Sequence, residues 1–499
     1  MAEHFISRDA AEGDLLAAAA YVGEGVRSSD GRAEAMGAVI PRYLARGEVD
    51  LAAELANSVD DPYSRDKLLT LVAEECAERD DDEYALQLVD AIEDHGLQAQ
   101  AFERVALVEA GKGNVERAAE IADSMAHPDY VLGGIAVYQA GAGDIAAAEA
   151  TLESIDFATA KVSALQQIAG RLIGNGDTEG SVKWLESAQV AAGEIEHDEE
   201  RIRSLCEIGS SFVEAKRNDR SIEAFDAARE SAEKLDNLHR DLFLATCALG
   251  FLVAGSGELA DRTLDIVTDK THISSALLGF ARHYWNSGDK DLALDTLDEA
   301  YSILASQREI ETRDSRARNG LLAAVAVQFA GFGKSERGVE IASENPDPNE
   351  TSGALSQISQ ILIVQNEDDY ARETVEQLGD DSNCAGALIG LSVAAKDRGD
   401  DATALKFLDE ASLVAESIPQ LGARSGVMNE LALRYAAFGL SEKASEISSS
   451  NIELIGAIRD SSGQAVMLAM LSDVYDRAKI ALSESDRSQL GLFIRRADL

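Results

Sequence analysis

Apolar and small residues recur along this chain at fixed distances from a short turn phrase. The clearest copies of the phrase read GDKDLAL (288–294), GDDATAL (399–405), GDIAAAE (143–149) and GNVERAA (113–119). We call the first residue of each copy the anchor. Eight residues before an anchor the side chain is always aliphatic or aromatic, and four before it large side chains are frequent. Because residues four apart share one helix face, an amphipathic helix is predicted to end at each anchor.

The turn phrase also predicts a second helix. A glycine anchor supplies left-handed backbone, and the Asp or Asn behind it can accept hydrogen bonds from the free N–H groups of the next helix. A small residue stands five after every anchor but one, where Arg262 is found, and it lets two helices approach closely. Each copy thus predicts a helical hairpin that completes its core by stacking on its neighbours. The anchors are Gly47, Asp80, Gly113, Gly143, Gly176, Lys216, Gly257, Gly288, Gly333, Asn366, Gly399 and Gly439.

Over residues 33–452 this pattern resembles the tetratricopeptide repeat (TPR) family, whose unit of about 34 residues has the same large–small pair, aromatic residue, Gly and Ala in the same order. The resemblance implies an all-α fold, a right-handed α–α superhelix (a TPR-like solenoid) of about 12–13 helical hairpins. The chain departs from the family in lacking most of the prolines that close second helices, since it has only six prolines. Its longest copies also require longer helices.

The same pattern predicts the organisation of the chain. We expect an N-terminal capping helix within 1–32 and TPR-like repeats over 33–345. Further repeats follow over 346–452, after a candidate hinge at the proline-containing segment Asn345–Asn349. Residues 453–499 are predicted to hold a degenerate thirteenth repeat, with Lys479 at its anchor, and C-terminal capping helices.

The charge of the chain is extreme, with 90 acidic against 45 basic residues and a formal net charge of −45. The acids are spread over nearly every repeat. This favours the acidic proteome of a halophilic archaeon, because the Debye length falls to about 3 Å in molar salt and self-repulsion is screened. The alternative is an acidic surface that binds a basic partner. Direct nucleic-acid binding is disfavoured, because no basic stripe offers phosphate contacts.

The sequence offers no catalytic chemistry that we can identify, and we predict no enzyme, no cofactor and no metal site. The seven histidines are dispersed, and the four cysteines lack metal or redox spacing. Gly331-Phe332-Gly333-Lys334-Ser335 resembles the end of a phosphate-binding loop, but Gln328 stands where that motif requires glycine. We see no signal peptide and no apolar run long enough for a bilayer, so we expect a cytoplasmic protein without membrane insertion.

Two rows of first-helix residues, six and three before each anchor, line the partner groove in the TPR family. In this chain those rows are largely apolar, with Arg282 and Lys396 as their only cations. A tryptophan beside an arginine is typical of an interface anchor. The alternative is that the tryptophan packs against a neighbouring helix. The candidate partner-binding residues are Phe251, Arg282, Trp285, Val327 and Lys396.

These observations predict a protein–protein interaction scaffold or adaptor, whose largely apolar concave groove takes a protein or peptide partner, such as an apolar helix or segment. One alternative is a peptide- or small-molecule-sensing regulator that acts through a separate effector chain. A second is a structural protein that self-assembles through open solenoid ends. The sequence leaves the oligomeric state open.

Overall fold

The computed structural model describes residues 4–307 and 315–497, and all regular structure in these ranges is helical. Residues 1–3 and 498–499, at the ends of the predicted terminal segments, lie outside the described residues. The helices are α1 (Arg8–Gly13), α2 (Leu15–Glu24), α3 (Ser29–Arg46), α4 (Val49–Asn57), α5 (Pro62–Glu78), α6 (Asp82–Asp90), α7 (His95–Lys112), α8 (Val115–Asp123), α9 (Asp129–Gly141), α10 (Ile145–Glu153), α11 (Ala158–Gly174), α12 (Thr178–Ala192), α13 (Asp198–Glu214), α14 (Asn218–Ala232), α15 (Arg240–Val253), α16 (Gly257–Asp265), α17 (Lys270–Ser287), α18 (Lys290–Ser306), α19 (Ser315–Gly331), α20 (Ser335–Ser343), α21 (Pro348–Val364), α22 (Asp368–Val375), α23 (Asp381–Asp397), α24 (Asp401–Ala415), α25 (Leu421–Ala437), α26 (Ser441–Ile455), α27 (Ser461–Ala478) and α28 (Glu484–Ala497).

The chain forms two compact units. Unit 1 comprises residues 1–108 and 359–499, and unit 2 comprises residues 109–358. The divisions fall inside α7 and α21, so neither coincides with the candidate hinge at Asn345–Asn349. From α3 to α26 the helices alternate as first and second helices of consecutive hairpins, and the predicted all-α solenoid is confirmed.

The predicted anchors mark the hairpin turns. Eleven of the twelve adopt left-handed backbone, among them the non-glycine residues Asp80, Lys216 and Asn366. At Gly288 the turn closes with two backbone hydrogen bonds, in which Gly288 donates to the Trp285 carbonyl at 3.1 Å and Asp289 donates to the Tyr284 carbonyl at 2.9 Å. This is the paired bonding that ends a helix on a left-handed residue.

The prediction of Gly257 as an anchor is wrong, because the left-handed residue of that repeat is Gly255 (φ 88°) and Gly257 is the first residue of α16. The same turn bonds form two residues earlier than predicted, with Gly255 donating to Leu252 at 3.0 Å. Counted from Gly255, the small residue five positions later is Ala260, which is fully buried. The misfit of Arg262 therefore came from the wrong register.

Buried small residues bring the two helices of each hairpin together. Ala148 on α10 and Ala293 on α18 are both fully buried five residues after their anchors. Asp144 caps the start of α10 by accepting a hydrogen bond from the Ala147 N–H at 3.1 Å. Such caps satisfy N–H groups that the helix itself leaves free.

We expect Ala148→Leu and Ala293→Leu each to lower the free energy of unfolding by about 1–3 kcal/mol, because each inserts a larger side chain into a helix crossing. Ala150→Leu is the matched control, since Ala150 lies on α10 two residues beyond Ala148 and is exposed. Chemical denaturation followed by circular dichroism measures all three. Equal stability of Ala148→Leu, Ala293→Leu and the control would contradict the predicted register.

Aspartate carboxylates, two of them buried, hold several connections between hairpins. Asp66, Asp129 and Asp241 lie at the same position near the start of their first helices, and each accepts hydrogen bonds from two consecutive backbone N–H groups of the following connection. Burial alone would raise the pKa of Asp241, but bonds from the hydroxyl and N–H of Thr268 and the N–H of Asp269 outweigh it and lower the pKa. These bonds fix the start of the connection.

Side chains also tie down the segment Asn345–Asn349. The Asn345 amide is buried and donates to the Asn319 carbonyl at 2.8 Å. The Asp347 N–H donates back to Asn345 Oδ1 at 3.1 Å, and Pro348 begins α21. Proline suits the first turn of a helix, where its missing N–H has no intrahelical partner. Hydrogen bonds therefore hold this segment at the start of α21, and its role as a hinge stays a prediction.

A thirteenth hairpin in unit 1 is assembled from helices that lie far apart in sequence. Its first helix is α27, which ends on the left-handed residue Lys479 (φ 54°), as predicted. Its second helix is α2, which packs along α27 and also against α3. Asp14 caps α2 by accepting from the Ala17 N–H at 2.9 Å, with the spacing used by Asp144. The segment GDLLAAA (13–19) is thus a further copy of the turn phrase.

Polar bonds join α3 to α27 across more than 400 residues of sequence. Arg42 binds Asp473 with two nitrogens, the shorter contact being 2.8 Å. Arg46 pairs with Asp14 at 2.9 Å and with Asp476 at 2.9 Å. Bidentate arginine–carboxylate bonds fix orientation as well as contact. Because α27 occupies the place of a preceding first helix beside α3, this end of the repeat array is not free.

Close approach explains a glycine at the meeting point of α2, α3 and α27. A Cβ atom at Gly23 would lie 3.1 Å from the Ala35 Cβ and 2.9 Å from the end of Met36. The segment 1–32 therefore contains more than the predicted capping helix. Its described residues, 4–32, hold α1 and α2, separated by the extended residue Asp14, and the first four residues of α3, and α2 is an integral part of a hairpin.

Candidate functional site

The first helices of unit 2 expose one face to solvent. Four residues per helix form this face, at positions thirteen, nine, six and two before the anchor, and of these only Val137 is buried. We call these residues the first-helix surface of unit 2. On helices α9, α11, α13, α15, α17 and α19 they are Tyr130, Gly134, Val137, Gly141, Ser163, Gln167, Gly170, Gly174, Arg203, Glu207, Ser210, Glu214, Leu242, Thr246, Leu249, Val253, Ser275, Gly279, Arg282, Asn286, Gly320, Ala324, Val327 and Gly331.

This surface is poor in acidic residues. Only Glu207 and Glu214 carry a carboxylate, although 90 of the 499 residues in the chain are acidic. Glycine is frequent instead, and a Cβ atom at Gly170 would meet no atom within 4 Å. Mid-helix glycine costs about 1 kcal/mol relative to alanine. Packing within the chain does not require glycine at position 170.

Two of the predicted partner-binding residues lie on this surface. Arg282 on α17 is exposed and has no ion-pair partner within residues 4–307 and 315–497. Val327 on α19 is partly exposed at the same position of the next first helix. The α17 and α19 helices pack side by side, so the two residues occupy neighbouring places on one face.

Trp285 is half-buried and already has a packing partner. Its ring stacks on Phe332 of the next hairpin with centroids 4.2 Å apart, and the Lys290 ammonium lies 5.0 Å from the same ring. This is the packing alternative raised by the sequence. Its predicted role as a binding anchor stays a prediction, but stacking on Phe332 leaves less of the ring for a partner.

The prediction that Phe251 faces a groove is wrong, because its side chain is fully buried. Its ring lies 6.1 Å from that of Phe225. With Gly255 as the true anchor, Phe251 is four residues before the anchor, which is the position of large core side chains. The residue six before the anchor is Leu249, which is partly exposed.

Lys396 lies in unit 1, whereas the other four predicted residues lie in unit 2. Its ammonium donates to the Ala437 carbonyl at 3.2 Å and lies 3.8 Å from the centre of the Phe438 ring. Both contacts are at the end of α25. Lys396 therefore stabilises the C-terminal turn of the neighbouring first helix, where carbonyl groups lack intrahelical partners.

Unit 1 has a pocket of about 640 Å³ between three successive first helices, α3, α5 and α7. Apolar side chains such as Pro41 and Leu71 line it together with Glu34, Lys67 and Arg104. Arg104 is paired with Glu74 at 2.7 Å, and Glu34 accepts a bond from the Ser462 hydroxyl. The exposed Lys67 is thus the lining cation without an ion-pair partner in the part of the chain described.

Unit 2 has a second pocket of about 640 Å³, at the turns of two adjacent hairpins. It lies between α9–α10 and α11–α12, and its lining includes Arg171, Ile168 and Trp184. The Trp184 side chain is buried. The sequence pattern did not predict this pocket. The sequence signal that could have predicted the pocket is the pair Gly141 and Gly174. Each glycine lies two residues before the anchor of its hairpin, and the lack of side chains there leaves the floor of the pocket open.

Three of the four cysteines are buried. Cys206 and Cys247 are buried with their sulfurs 3.8 Å apart. Burial raises the pKa of Cys76 to about 12, so its thiol stays protonated at neutral pH. Within the described ranges, no cluster of His, Cys, Asp and Glu has the arrangement of a metal site. None of the helices described has both the length and the apolarity to cross a bilayer.

Left-handed turns, buried small residues and alternating first and second helices define a TPR-like all-α solenoid. No protein-family model matches the sequence, and no curated protein matches it. The chain is similar to the solved structure of Ton1535 from Thermococcus onnurineus, with 16% identity over 70% of this chain and 97% of that one and a TM-score of 0.26. It is similar to the quorum sensor NprR from B. thuringiensis, with 13% identity, coverage of 70% and 99%, and a TM-score of 0.27. The APC/C hetero-tetramer Cut9-Hcn1 matches with 12% identity, coverage of 90% and 89%, and a TM-score of 0.21.

Proposed function

We propose that this protein is a non-catalytic scaffold that binds a protein or peptide partner on the first-helix surface of unit 2. The observation that carries the proposal is the scarcity of carboxylates on that surface in a chain with a net charge of −45. In a protein with such an excess of acidic residues, a helix face that stays in contact with water is expected to carry carboxylates. A face that must lose its water to a partner avoids carboxylates, because burying an unpaired charge is costly.

The composition of this surface favours a neutral or apolar segment as the partner. Glycine at several positions lets a bound backbone approach the helices closely, while Leu242, Leu249 and Val327 offer apolar contacts. Self-assembly through open ends is less well supported, since in unit 1 α27 already packs beside α3.

Placing a charge on this surface tests the proposal. Ser275→Glu and Ala324→Glu add carboxylates to exposed positions on α17 and α19, and Ala150→Glu adds one to an exposed position on the second helix α10. Partners are captured from native lysate at high KCl with each purified variant and identified by mass spectrometry. We expect Ser275→Glu and Ala324→Glu to lose a stoichiometric partner that wild type and Ala150→Glu retain, with melting temperatures unchanged.

Three results would contradict the proposal. Equal capture by all variants would mean that the partner binds to another surface. Recovery of only the protein's own chain would favour self-assembly. Loss of capture together with a lowered melting temperature in Ser275→Glu and Ala324→Glu, but not in Ala150→Glu, would mean that the face is structural.

A further inference from the structure

The pocket between α9–α10 and α11–α12 has no acidic residue in its lining. Its walls are apolar, formed by Val137, Ile145, Ile168, Leu172 and Trp184. The polar lining side chains are Asn175 and Arg171. This is a small group of polar atoms on an apolar wall, which is the usual composition of a small-molecule site.

Two of the carboxylates nearest to the pocket along the sequence are bonded to the ends of helices. Asp144 precedes Ile145 and accepts from the Ala147 N–H at 3.1 Å, while Asp177 follows the pocket residue Asn175 and accepts from the Gly180 N–H at 2.8 Å. Each therefore caps its own second helix. Neither belongs to the lining of the pocket.

Arg171 is the cation of the pocket. It is exposed, and no carboxylate within residues 4–307 and 315–497 forms an ion pair with it. One guanidinium nitrogen lies 3.4 Å from the Val137 carbonyl, a long contact that leaves the other donors available. A guanidinium presents five donors in a rigid fork that fits a planar or tetrahedral anion. Many other arginines of this chain are paired with carboxylates.

The room for a ligand comes from missing side chains. Gly141 and Gly174 occupy the same position in consecutive first helices and both line the pocket. A Cβ atom at Gly174 would have no neighbour within 4 Å, and one at Gly141 would lie 3.3 Å from a nitrogen of Arg171. Glycine at position 141 thus leaves space for the guanidinium, and glycine at position 174 leaves an open floor.

We propose that this pocket binds a small amphipathic anion. Its single carboxylate or sulfonate is held by Arg171, and its aromatic or aliphatic body lies against Ile168, Leu172 and the edge of Trp184. The pocket shares Val137, Gly141 and Gly174 with the first-helix surface of unit 2, but the proposal rests on Arg171 and the apolar lining and not on the scaffold function. Charge complementarity selects the anion, since the lining has a guanidinium and no carboxylate to oppose it.

Two probes that share one aromatic body separate the charge from the apolar contact. 1-Anilinonaphthalene-8-sulfonate is the anion, and N-phenyl-1-naphthylamine is its neutral analogue. Both are titrated into the folded full chain at the lowest KCl concentration that retains full helicity. A Trp285→Phe background leaves Trp184 as the single tryptophan, so energy transfer from tryptophan to the bound probe reports binding near the pocket.

We expect Arg171→Gln to weaken binding of the sulfonate about tenfold or more, because a charged hydrogen bond is lost, and to change binding of the neutral probe less than about twofold. Gly174→Leu fills the floor and is expected to weaken both probes, while it leaves the melting temperature unchanged or raised. Arg262→Gln, which removes an exposed cation from α16, is the matched control and should change neither probe.

Sulfonate binding that is the same in wild type and Arg171→Gln would overturn the proposal. So would equal losses for both probes in Arg171→Gln, or sulfonate binding without energy transfer from Trp184. If Arg171→Gln lowered the melting temperature, Arg171→Lys would decide the matter. Sulfonate binding that is tighter in Arg171→Lys than in Arg171→Gln supports a charge contact, and sulfonate binding no tighter than that of the neutral probe in both wild type and Arg171→Lys overturns the proposal.

Discussion

Replacing Leu16 with alanine is expected to lower the free energy of unfolding by about 2–5 kcal/mol, although the residue lies close to the start of the chain. Leu16 is fully buried on α2, the second helix of the thirteenth hairpin. Its removal leaves a cavity among helices that cannot close without moving α27 or α3. Chemical denaturation followed by circular dichroism at high KCl measures the loss.

Leu492→Ala is the matched control, since Leu492 lies on the C-terminal helix α28 and is 42% exposed. Substitutions at such positions change stability by about 0.5 kcal/mol or less. If Leu16→Ala were as stable as this control, α2 would be a loosely attached terminal helix, and the thirteenth hairpin would not exist in solution.

Transfer from 2 M to 50 mM KCl is expected to unfold much of the helix content. With 90 acidic against 45 basic residues, the folded chain gathers a net charge of −45 in a compact volume. The Debye length rises from a few Å to beyond 10 Å over this range, so repulsion that was screened at high salt opposes folding at low salt. Circular dichroism across a KCl series gives the midpoint of the transition.

A neutral osmolyte separates screening from general stabilisation. Sucrose favours compact states by exclusion from the surface but does not screen charge. We expect sucrose in 50 mM KCl to restore much less helicity than 2 M KCl. Full helicity and an unchanged melting temperature in 50 mM KCl would remove the argument for adaptation to high salt.

The hairpins were predictable because their turns obey local rules. A left-handed residue that ends a helix and a capping residue behind it are properties of a few consecutive residues, so even Asp80, Lys216 and Asn366 could be identified by spacing. At Gly255 and Gly257 the local rules allow either glycine. The correct choice depends on which side chains reach the core. Arg262 stands where every other repeat has a small residue, and this indicated that Gly257 was not the anchor.

The missed features depend on contacts between residues far apart in sequence. GDLLAAA (13–19) has the complete turn phrase, but the first helix that it requires lies more than 400 residues away. Likewise, the spacing that placed Trp285 near a groove could not show that Phe332 of the next repeat stacks on it. The pocket around Arg171 forms between two hairpins, at positions that lack side chains. The periodicity within a single repeat therefore cannot predict it.

The two helices of the thirteenth hairpin are synthesised more than 400 residues apart. Nine of the ten residues of α2 are buried in the finished fold, mainly against helices that include α27. At roughly 5–20 residues per second, a ribosome needs about 20–90 s to pass from α2 to α27. For that interval the apolar face of Leu15, Leu16 and Tyr21 has no partner helix from its own hairpin. Helix α2 is thus synthesised more than 400 residues before its partner α27, and its apolar face is exposed to aggregation during that interval.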